Sequence, residues 1–423
     1  MSNIGRIKEK EWEEYEYDIQ INISSGGKML KLKSAQIQSL MIEKNFDDPN
    51  QNLPIVILSI SKQESTKIEI NNKTDIIISI DKFIATKDKE GKIKKKKKKK
   101  NVLRDTFCAI VPDVTPTDDS LKKVSQKEEK VKKDEVTQYD LTSQDTYTLS
   151  RKKDLSASKH IFNGILSNVS MTQAIATLLS QAQISKVLMS SLDHVETIPE
   201  LLLMPLGLIA QLKYLKNYYG WHKEDTLIFM DFDVMYLLRM NGKCTAWRSG
   251  ETKKISFYVN SISKGDNVCG GMVTKGNSLY INVGSDNYVD EDKTGVAEQT
   301  VGSNVMMVNE DEASVSSISG TTTNTLTSSG TTSIKSTTGH NKYLSNWVKC
   351  RSKEQSGIMN LTCNNIDFSV LTPNKEYSMV SQKTKIAKEI KGTYRLSKMT
   401  TSFAKDGNSF TAKTNVTLKK SIG

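Results

Sequence analysis

The sequence predicts an α+β protein that is mostly β-structure, in which strand-rich N-terminal and C-terminal parts flank a helical middle region. Three observations support this fold class. Apolar and polar side chains alternate from Tyr17 to Ile23, which is the period of a half-buried strand. Ile175, Leu178, Leu179 and Ala182 form an apolar stripe at helical spacing. The same alternation as in the first strand returns near the C-terminus, at residues 410–418.

The first part, residues 1–150, contains further strands rich in β-branched residues at 55–60, 76–80 and 102–111. Gly26-Gly27 ends the first strand and permits a chain reversal. Residues 120–135 carry mixed charges without an apolar face, which predicts a linker and a domain boundary near residue 140.

The middle region, residues 151–222, begins its first helix with a capping box formed by Ser170 and Gln173. A second helix is predicted to start at Pro205, since proline is tolerated in a first turn, and to stop at Gly220.

The third part, residues 223–423, is predicted to contain strands at 226–238 and 255–259, with a turn at Asn241-Gly242 between them. Residues 313–339 are Ser or Thr at 17 of 27 positions, which predicts a loosely ordered loop. The closing segment is predicted to be a hairpin that turns at residues 405–408. A change of phase along its first strand indicates a β-bulge near Ser397.

Charge and length limit the possible functions. A chain of 423 residues favours two or three domains. The net charge is +12, but eight lysines lie between Lys92 and Lys100, and without them the excess is +4. Charge alone therefore does not indicate a nucleic-acid groove. We interpret the run from Lys94 to Lys100 as a solvated loop tip, because like charges repel; the alternative is an anion-binding arm.

The cysteines and the apolar segments indicate a soluble protein made in a reducing cytoplasm. The five cysteines are an odd number and none forms a CxxC pair, which argues against a disulfide framework and a zinc ribbon. The N-terminus has no secretory signal. The apolar stretch at 201–212 is too short to span a bilayer and contains Pro205.

One motif suggests an enzyme. Asp231-Phe232-Asp233 follows an apolar run and resembles the first motif of haloacid-dehalogenase-type phosphatases, where one aspartate is the nucleophile and the other an acid/base around Mg²⁺. Such a site requires a loop, whereas here the apolar run continues. We therefore expect both aspartates on one polar face of a strand.

The remaining candidates predict no catalytic, cofactor-binding or metal-binding residues. The histidines His160, His194, His222 and His340 are scattered, and Lys275-Gly276-Asn277-Ser278 lacks the glycine of a phosphate loop. Cys269 has no base near it in sequence. The aromatic residues Tyr214, Tyr218, Tyr219 and Trp221 have helical spacing, which favours a core or interface role over base stacking.

The stretch from His160 to Val259, including IPELLLMPLGLIAQLKYLKNYYG and TLIFMDFD, resembles the baseplate central hub proteins of contractile-tailed bacteriophages. The closing hairpin, GTYRLSKMTTSFAKDGNSFTAKTNVTLKK, resembles the final hairpin of such hubs. The resemblance implies two tail-tube-like β-barrels per subunit, here within 1–150 and 223–423, with the middle region packed outside them. The lysine run and the Ser/Thr-rich segment at about 310–340 are then insertions.

The resemblance also implies a homotrimer, a pseudo-sixfold ring that joins a hexameric tail tube to a trimeric central spike. Its partners would be the tail tube protein, the central spike protein and other baseplate (wedge) proteins, in a virion assembled in the host cytoplasm. No membrane and no specific nucleic acid is implied.

Two other hypotheses stay open. A phosphatase would lose its activity in Asp231→Asn. A nucleic-acid-binding protein would lose affinity steeply with salt, and entirely when Lys94 to Lys100 are deleted.

Overall fold

The computed structural model describes residues 11–47, 51–87, 93–110, 144–240, 254–259, 270–289, 304–308, 315–319, 358–381 and 390–420. The strands are β1 (Tyr15–Ser25), β2 (Lys28–Leu32), β3 (Ile37–Asn45), β4 (Ile55–Ser61), β5 (Asp75–Lys87), β6 (Ile93–Ala109), β7 (Gln144–Arg151), β8 (Ile161–Ser170), β9 (Lys186–Met189), β10 (Thr197–Gly207), β11 (Thr226–Asp231), β12 (Val234–Arg239), β13 (Lys254–Tyr258), β14 (Met272–Lys275), β15 (Ser278–Asn282), β16 (Ser285–Val289), β17 (Asn304–Val308), β18 (Val315–Ser319), β19 (Ile358–Asn364), β20 (Glu376–Val380), β21 (Thr393–Asp406) and β22 (Ser409–Lys420). The helices are α1 (Lys62–Ser65), α2 (Lys152–Ser158), α3 (Met171–Gln181) and α4 (Leu208–Tyr219). The mostly β, α+β class is confirmed.

Several sequence predictions correspond to observed elements. Gly26 and Gly27 form the turn between β1 and β2, both with positive φ, a conformation that glycine adopts without steric cost. Ser170 caps α3, and Gln173 closes the predicted capping box. The helix α4 ends at Gly220, which has a φ of 72°. The pairing of β21 with β22 shifts register between Leu396 and Lys398, where the bulge near Ser397 was predicted.

Eight strands form a closed circuit of pairings. The order is β1, β5, β6, β7, β4, β3, β21 and β22, and β22 pairs again with β1 where Tyr17 faces Phe410. Apolar and polar residues alternate along much of these strands, as in β1 and β3, so that one face is buried. Tyr17, Ile21, Leu40 and Leu58 are fully buried members of this core.

A second set of strands shares β21 and β22 with the first. On one side β21 pairs with β20, which leads to β13, β15 and β14; on the other side β22 pairs with β19, which leads to β16. The strands β15 and β16 are consecutive in the chain and are joined by Val283-Gly284. Because β15 pairs with β13 and β16 pairs with β19, this connection links the two sides of the set. The Gly284 amide donates to the Thr362 carbonyl there, at 2.7 Å. Counted over the described residues, each set contains eight strands.

The pairing partners of the hairpin change at the bulge. Before Ser397, β21 pairs with β20 through Thr393 to Arg395; after it, β21 pairs with β3 from Lys398 onward. Likewise β22 pairs with β1 at Phe410 and with β19 over its second half. One hairpin therefore belongs to both sets.

The middle region has its own core. Helices α2, α3 and α4 pack with the two-stranded sheet β8–β10 and the three-stranded sheet β9–β12–β11. Trp221 is fully buried in this core. Because β11 and β12 pair with each other and with β9, residues 226–239 pack with the middle region. The division of the chain at 150 and 222 otherwise stays a prediction.

Three local predictions were wrong. The second helix begins after Gly207, while Pro205 lies in β10 at a register irregularity opposite β8, where a missing amide is tolerated. Residues 226–238 are two strands joined by a turn at Phe232-Asp233, with Phe232 at a φ of 48°. The lysine run is part of β6 and pairs with β5, so it is not a loop tip.

The Ser/Thr-rich segment contains one strand, β18, which pairs with β17. The rest of that segment lies outside the described residues, as do residues 120–135 and the predicted turn at Asn241-Gly242.

Candidate functional site

The hairpin β21–β22 is fixed to β3 by a carboxylate at the bulge, that of Asp47, whose side chain is 11% exposed. Asp47 follows β3 and accepts two hydrogen bonds from the Arg395 guanidinium, at 2.6 and 3.2 Å. The Ser397 hydroxyl donates to it at 2.5 Å and Lys419 Nζ lies 2.9 Å away. Burial by itself raises the pKa of Asp47. The charges of Arg395 and Lys419 lower it by a larger amount, so that the pKa is about 2. The carboxylate is therefore ionised at neutral pH and holds both strands of the hairpin.

Asp231 connects the first strand circuit to the middle region. It ends β11, and Lys44 Nζ of β3 lies 2.7 Å from its carboxylate, with both side chains more than 90% buried. Lys44 also lies over the Phe232 ring, at 4.9 Å from its centre. The turn geometry thus meets one requirement of a phosphatase loop, but the carboxylate is neutralised by a fixed lysine.

Arg151, the last residue of β7, is the centre of a second connection. Its guanidinium donates to Asp154 of α2 at 2.7 Å, and it also contacts Asp105 of β6, Asp233 and the Phe232 carbonyl. The Arg151 side chain is 4% exposed. A single buried cation therefore joins β6, β7, α2 and the turn between β11 and β12.

The pKa values of the two aspartates bound to Arg151 differ. Burial raises the pKa of Asp154 to about 7, more than Arg151 lowers it. Asp233 is partly exposed. Its limited burial raises the pKa, but the hydrogen bond and charge of Arg151, together with the charges of Lys153 and Lys186, outweigh this and leave the pKa below the ordinary 3.8. A shallow cleft beside them is lined by Arg151, Lys153, Asp154, Met230 and Met235.

The two candidate phosphatase residues do not converge. Asp231 points to Lys44, whereas Asp233 points to Arg151 and has Lys186 Nζ at 3.8 Å. The expectation that both lie on one face within a strand was wrong, because the turn separates them. Their observed contacts are those of residues that hold structural elements together.

The other sequence candidates are placed as packing residues. His194 Nδ1 lies 3.1 Å from the Tyr219 carbonyl oxygen, and His222 is fully buried. Tyr214 and Tyr218 stack on each other along α4, with ring centres 5.6 Å apart. In the part of the chain that the structure describes, no three His, Cys, Asp or Glu side chains are grouped so that they could hold a metal ion. His340 and Cys269 lie outside the described residues.

Cysteines and helices give two further observations. Cys108 and Cys363 are free and buried. Among the described residues, no helix is both long and apolar enough to cross a bilayer.

Sequence reasoning missed Asp47, Lys44, Arg151 and Arg395. No spacing motif connects them, since 348 positions separate Asp47 from Arg395. The one available signal was the bulge at Ser397, because an extra residue in a strand marks a place where pairing changes.

A protein-family model matches residues 7–421, nearly the whole chain, and its description is the bacteriophage PBS1 gene 109 protein. The chain belongs to this bacteriophage family. Membership confirms the bacteriophage resemblance stated from the sequence.

The fold of this chain was compared with solved protein structures. It is similar to a tail protein from Neisseria meningitidis MC58, with 10% identity, 95% and 96% of the two chains covered and a TM-score of 0.47. It is also similar to the 43 kDa tail protein of prophage MuSo2 from Shewanella oneidensis, with 13% identity, 94% and 96% coverage and a TM-score of 0.47. An Escherichia coli type VI secretion component is similar at 8% identity, 91% and 73% coverage and a TM-score of 0.42. No curated protein matches the chain.

Proposed function

We propose that this protein is a structural virion protein of the phage tail, the baseplate hub that connects a hexameric tail tube to a trimeric central spike. The observation that carries the proposal is the hairpin β21–β22, which is a member of two eight-stranded sets in one chain. Two such sets, each folded into a tube-like barrel, supply two similar docking units per subunit.

Symmetry explains the use of such a subunit. Three copies of a chain with two similar barrels form a ring with six barrels, which matches a sixfold tube on one side and keeps threefold symmetry for a spike on the other. The first barrel combines the strands of the N-terminal part, predicted as residues 1–150, with the hairpin β21–β22, and the second is built from strands within 223–423. The shared hairpin closes both.

The charged contacts suit a part that transmits force. A continuous sheet and the buried Asp47–Arg395 pair join the two sets without a flexible connection. Arg151 and the Lys44–Asp231 pair hold the middle region against the first set. The role is therefore architectural, and no catalytic step is assigned to any residue.

The partners of the hub are the tail tube protein, the central spike protein and other baseplate (wedge) proteins, and its location is the tail baseplate of the virion. Contraction would drive spike and tube through the host envelope while the ring keeps them coaxial.

The test is the mass of the purified protein in solution, measured by light scattering alone and after mixing with its spike neighbour. We expect about three times 47.3 kDa for the protein alone, or that mass plus the mass of the bound spike after mixing. Electron micrographs of that species should show a ring with six peripheral densities. A protein that stays monomeric both alone and with the spike would refute the hub proposal.

A further inference from the structure

The lysine segment of β6 has an open side. The strand pairs with β5 from Ile93 to Phe107, but its pairing with β7 is limited to Phe107, Cys108 and Ala109. Among the described strands, none lies on the other side of residues 96–104. The lysines are therefore held on an extended strand at the edge of the sheet.

Three lysines of this segment are neutralised within the chain. Lys96 Nζ and Lys99 Nζ lie 2.5 and 3.1 Å from the Asp18 carboxylate. Lys98 Nζ lies 2.5 Å from Glu13. The positive φ of Lys98 marks a bulge opposite β5, which changes the phase of the strand and lets both Lys96 and Lys99 reach Asp18.

Two lysines remain without such a partner. Within the described part of the chain, Lys97 and Lys100 make no ion pair, and both are exposed. Lys100 also stands opposite Lys82 of β5, a like-charge cross-strand pair that destabilises a sheet. Lys82 itself is paired with Asp367.

We infer that Lys97 and Lys100 form a docking surface for an acidic surface of another protein. Charge complementarity selects the partner: the local excess is positive, and among the described residues the acids that contact this segment, Glu13, Asp18 and Asp81, are paired with its other lysines. A second copy that placed the same edge against this one would oppose lysine to lysine, so the partner is a different, acidic surface. Lysines and bulges also discourage strand pairing at an edge, so the contact is made by side chains.

Nucleic acid fits these contacts less well. Binding of single strands combines a basic groove with aromatic rings on which bases stack. The Phe83 ring, which Lys96 Nζ covers at 4.3 Å from its centre, is buried and therefore not open to a base. Among the described residues, the contacts of this segment thus show charge without an exposed ring beside it.

The test compares two labelled probes of equal length, a ten-residue glutamate peptide and a ten-nucleotide thymidine strand, by fluorescence anisotropy at low and moderate salt. The double variant Lys97→Gln/Lys100→Gln is compared with Lys28→Gln/Lys31→Gln, which removes the same charge from the exposed lysines of β2. We expect the first variant to bind the glutamate peptide about tenfold more weakly and the second to bind it like the wild type.

Three results would overturn the inference: no binding of the glutamate peptide, an equal loss in both variants, or tighter binding of the thymidine strand. The first two would show that Lys97 and Lys100 form no specific surface, and the third that the partner is a nucleic acid. None of them bears on trimer formation, so the hub proposal is tested separately. Circular dichroism of both variants checks that the fold is retained.

Discussion

Replacing Asp47 by asparagine tests whether the bulge of the shared hairpin depends on one buried carboxylate. The pKa of Asp47 is lowered from 3.8 to about 2. A difference of this size corresponds to about 2 kcal/mol of folding free energy at pH 7. The substitution also leaves Arg395, which is 8% exposed, without its charged partner. We expect Asp47→Asn to lower the free energy of unfolding by about 2–4 kcal/mol.

The pH dependence gives the sharper readout. Because the pKa of Asp47 is lower in the folded protein, its contribution is complete above about pH 5 and is lost as the pH falls through the ordinary value of 3.8 towards 2. The difference between wild type and Asp47→Asn should therefore shrink between pH 5 and pH 3. Urea unfolding, followed by intrinsic fluorescence at pH 7, 5, 4 and 3, measures it.

A matched control exists on the same pair of strands. Lys398 of β21 contacts Glu43 of β3 at 2.7 Å, and the lysine is 43% exposed. Glu43→Gln should cost less than about 1 kcal/mol because water screens this pair. Two results would refute the role of Asp47 in fixing the hairpin to β3. One is that Asp47→Asn lowers the free energy of unfolding no more than Glu43→Gln; the other is that its loss of stability is the same at pH 3 as at pH 7.

Three further predictions address the other buried contacts. Arg151→Met should lower the free energy of unfolding by about 3–5 kcal/mol at pH 8 and by less at pH 5, since Asp154 takes up a proton around pH 7 and then needs no cation; an equal loss at both pH values would contradict this. Burial lowers the pKa of His222 to about 4, so wild type should lose about 3 kcal/mol relative to His222→Gln as the pH falls from 6.5 to 4, measured as the difference between their unfolding curves. Gly270→Ala would place a Cβ 2.2 Å from the Asn364 carbonyl oxygen, and should cost about 1–3 kcal/mol in thermal or urea unfolding; an unchanged stability would show that β14 does not approach β19 this closely.

The local patterns were sufficient for many elements because they depend on neighbours in the chain. The alternation in β1, the capping box at Ser170 and the stop at Gly220 each involve residues a few positions apart. The bulge at Ser397 was also readable, since a phase change in alternation is visible within ten residues.

Other elements could not be derived in this way. Phe232 has a positive φ although it is neither glycine nor asparagine, so the sequence gives no sign of a turn there. The turn is held by Arg151, which donates a hydrogen bond to the Phe232 carbonyl oxygen. The lysine run was interpreted as a loop because repulsion between neighbours is a local argument. Asp18, Asp81 and Glu13, which stabilise the segment as a strand, come from β1, β5 and the residues before them.

The sequence by itself determined the mostly β class, the identity of the central strands and helices, the closing hairpin with its bulge and the resemblance to phage hubs. The tertiary structure alone decided that this hairpin belongs to two sets of strands, that Asp47 fixes the hairpin to β3, and that Lys44 and Arg151 hold the middle region against the first set. The physical reason is that the local sequence determines which face of a strand is buried, but not which strands pair with it along its two edges. Partners across hundreds of residues are selected by the packing of the whole chain, which also brings buried charges together.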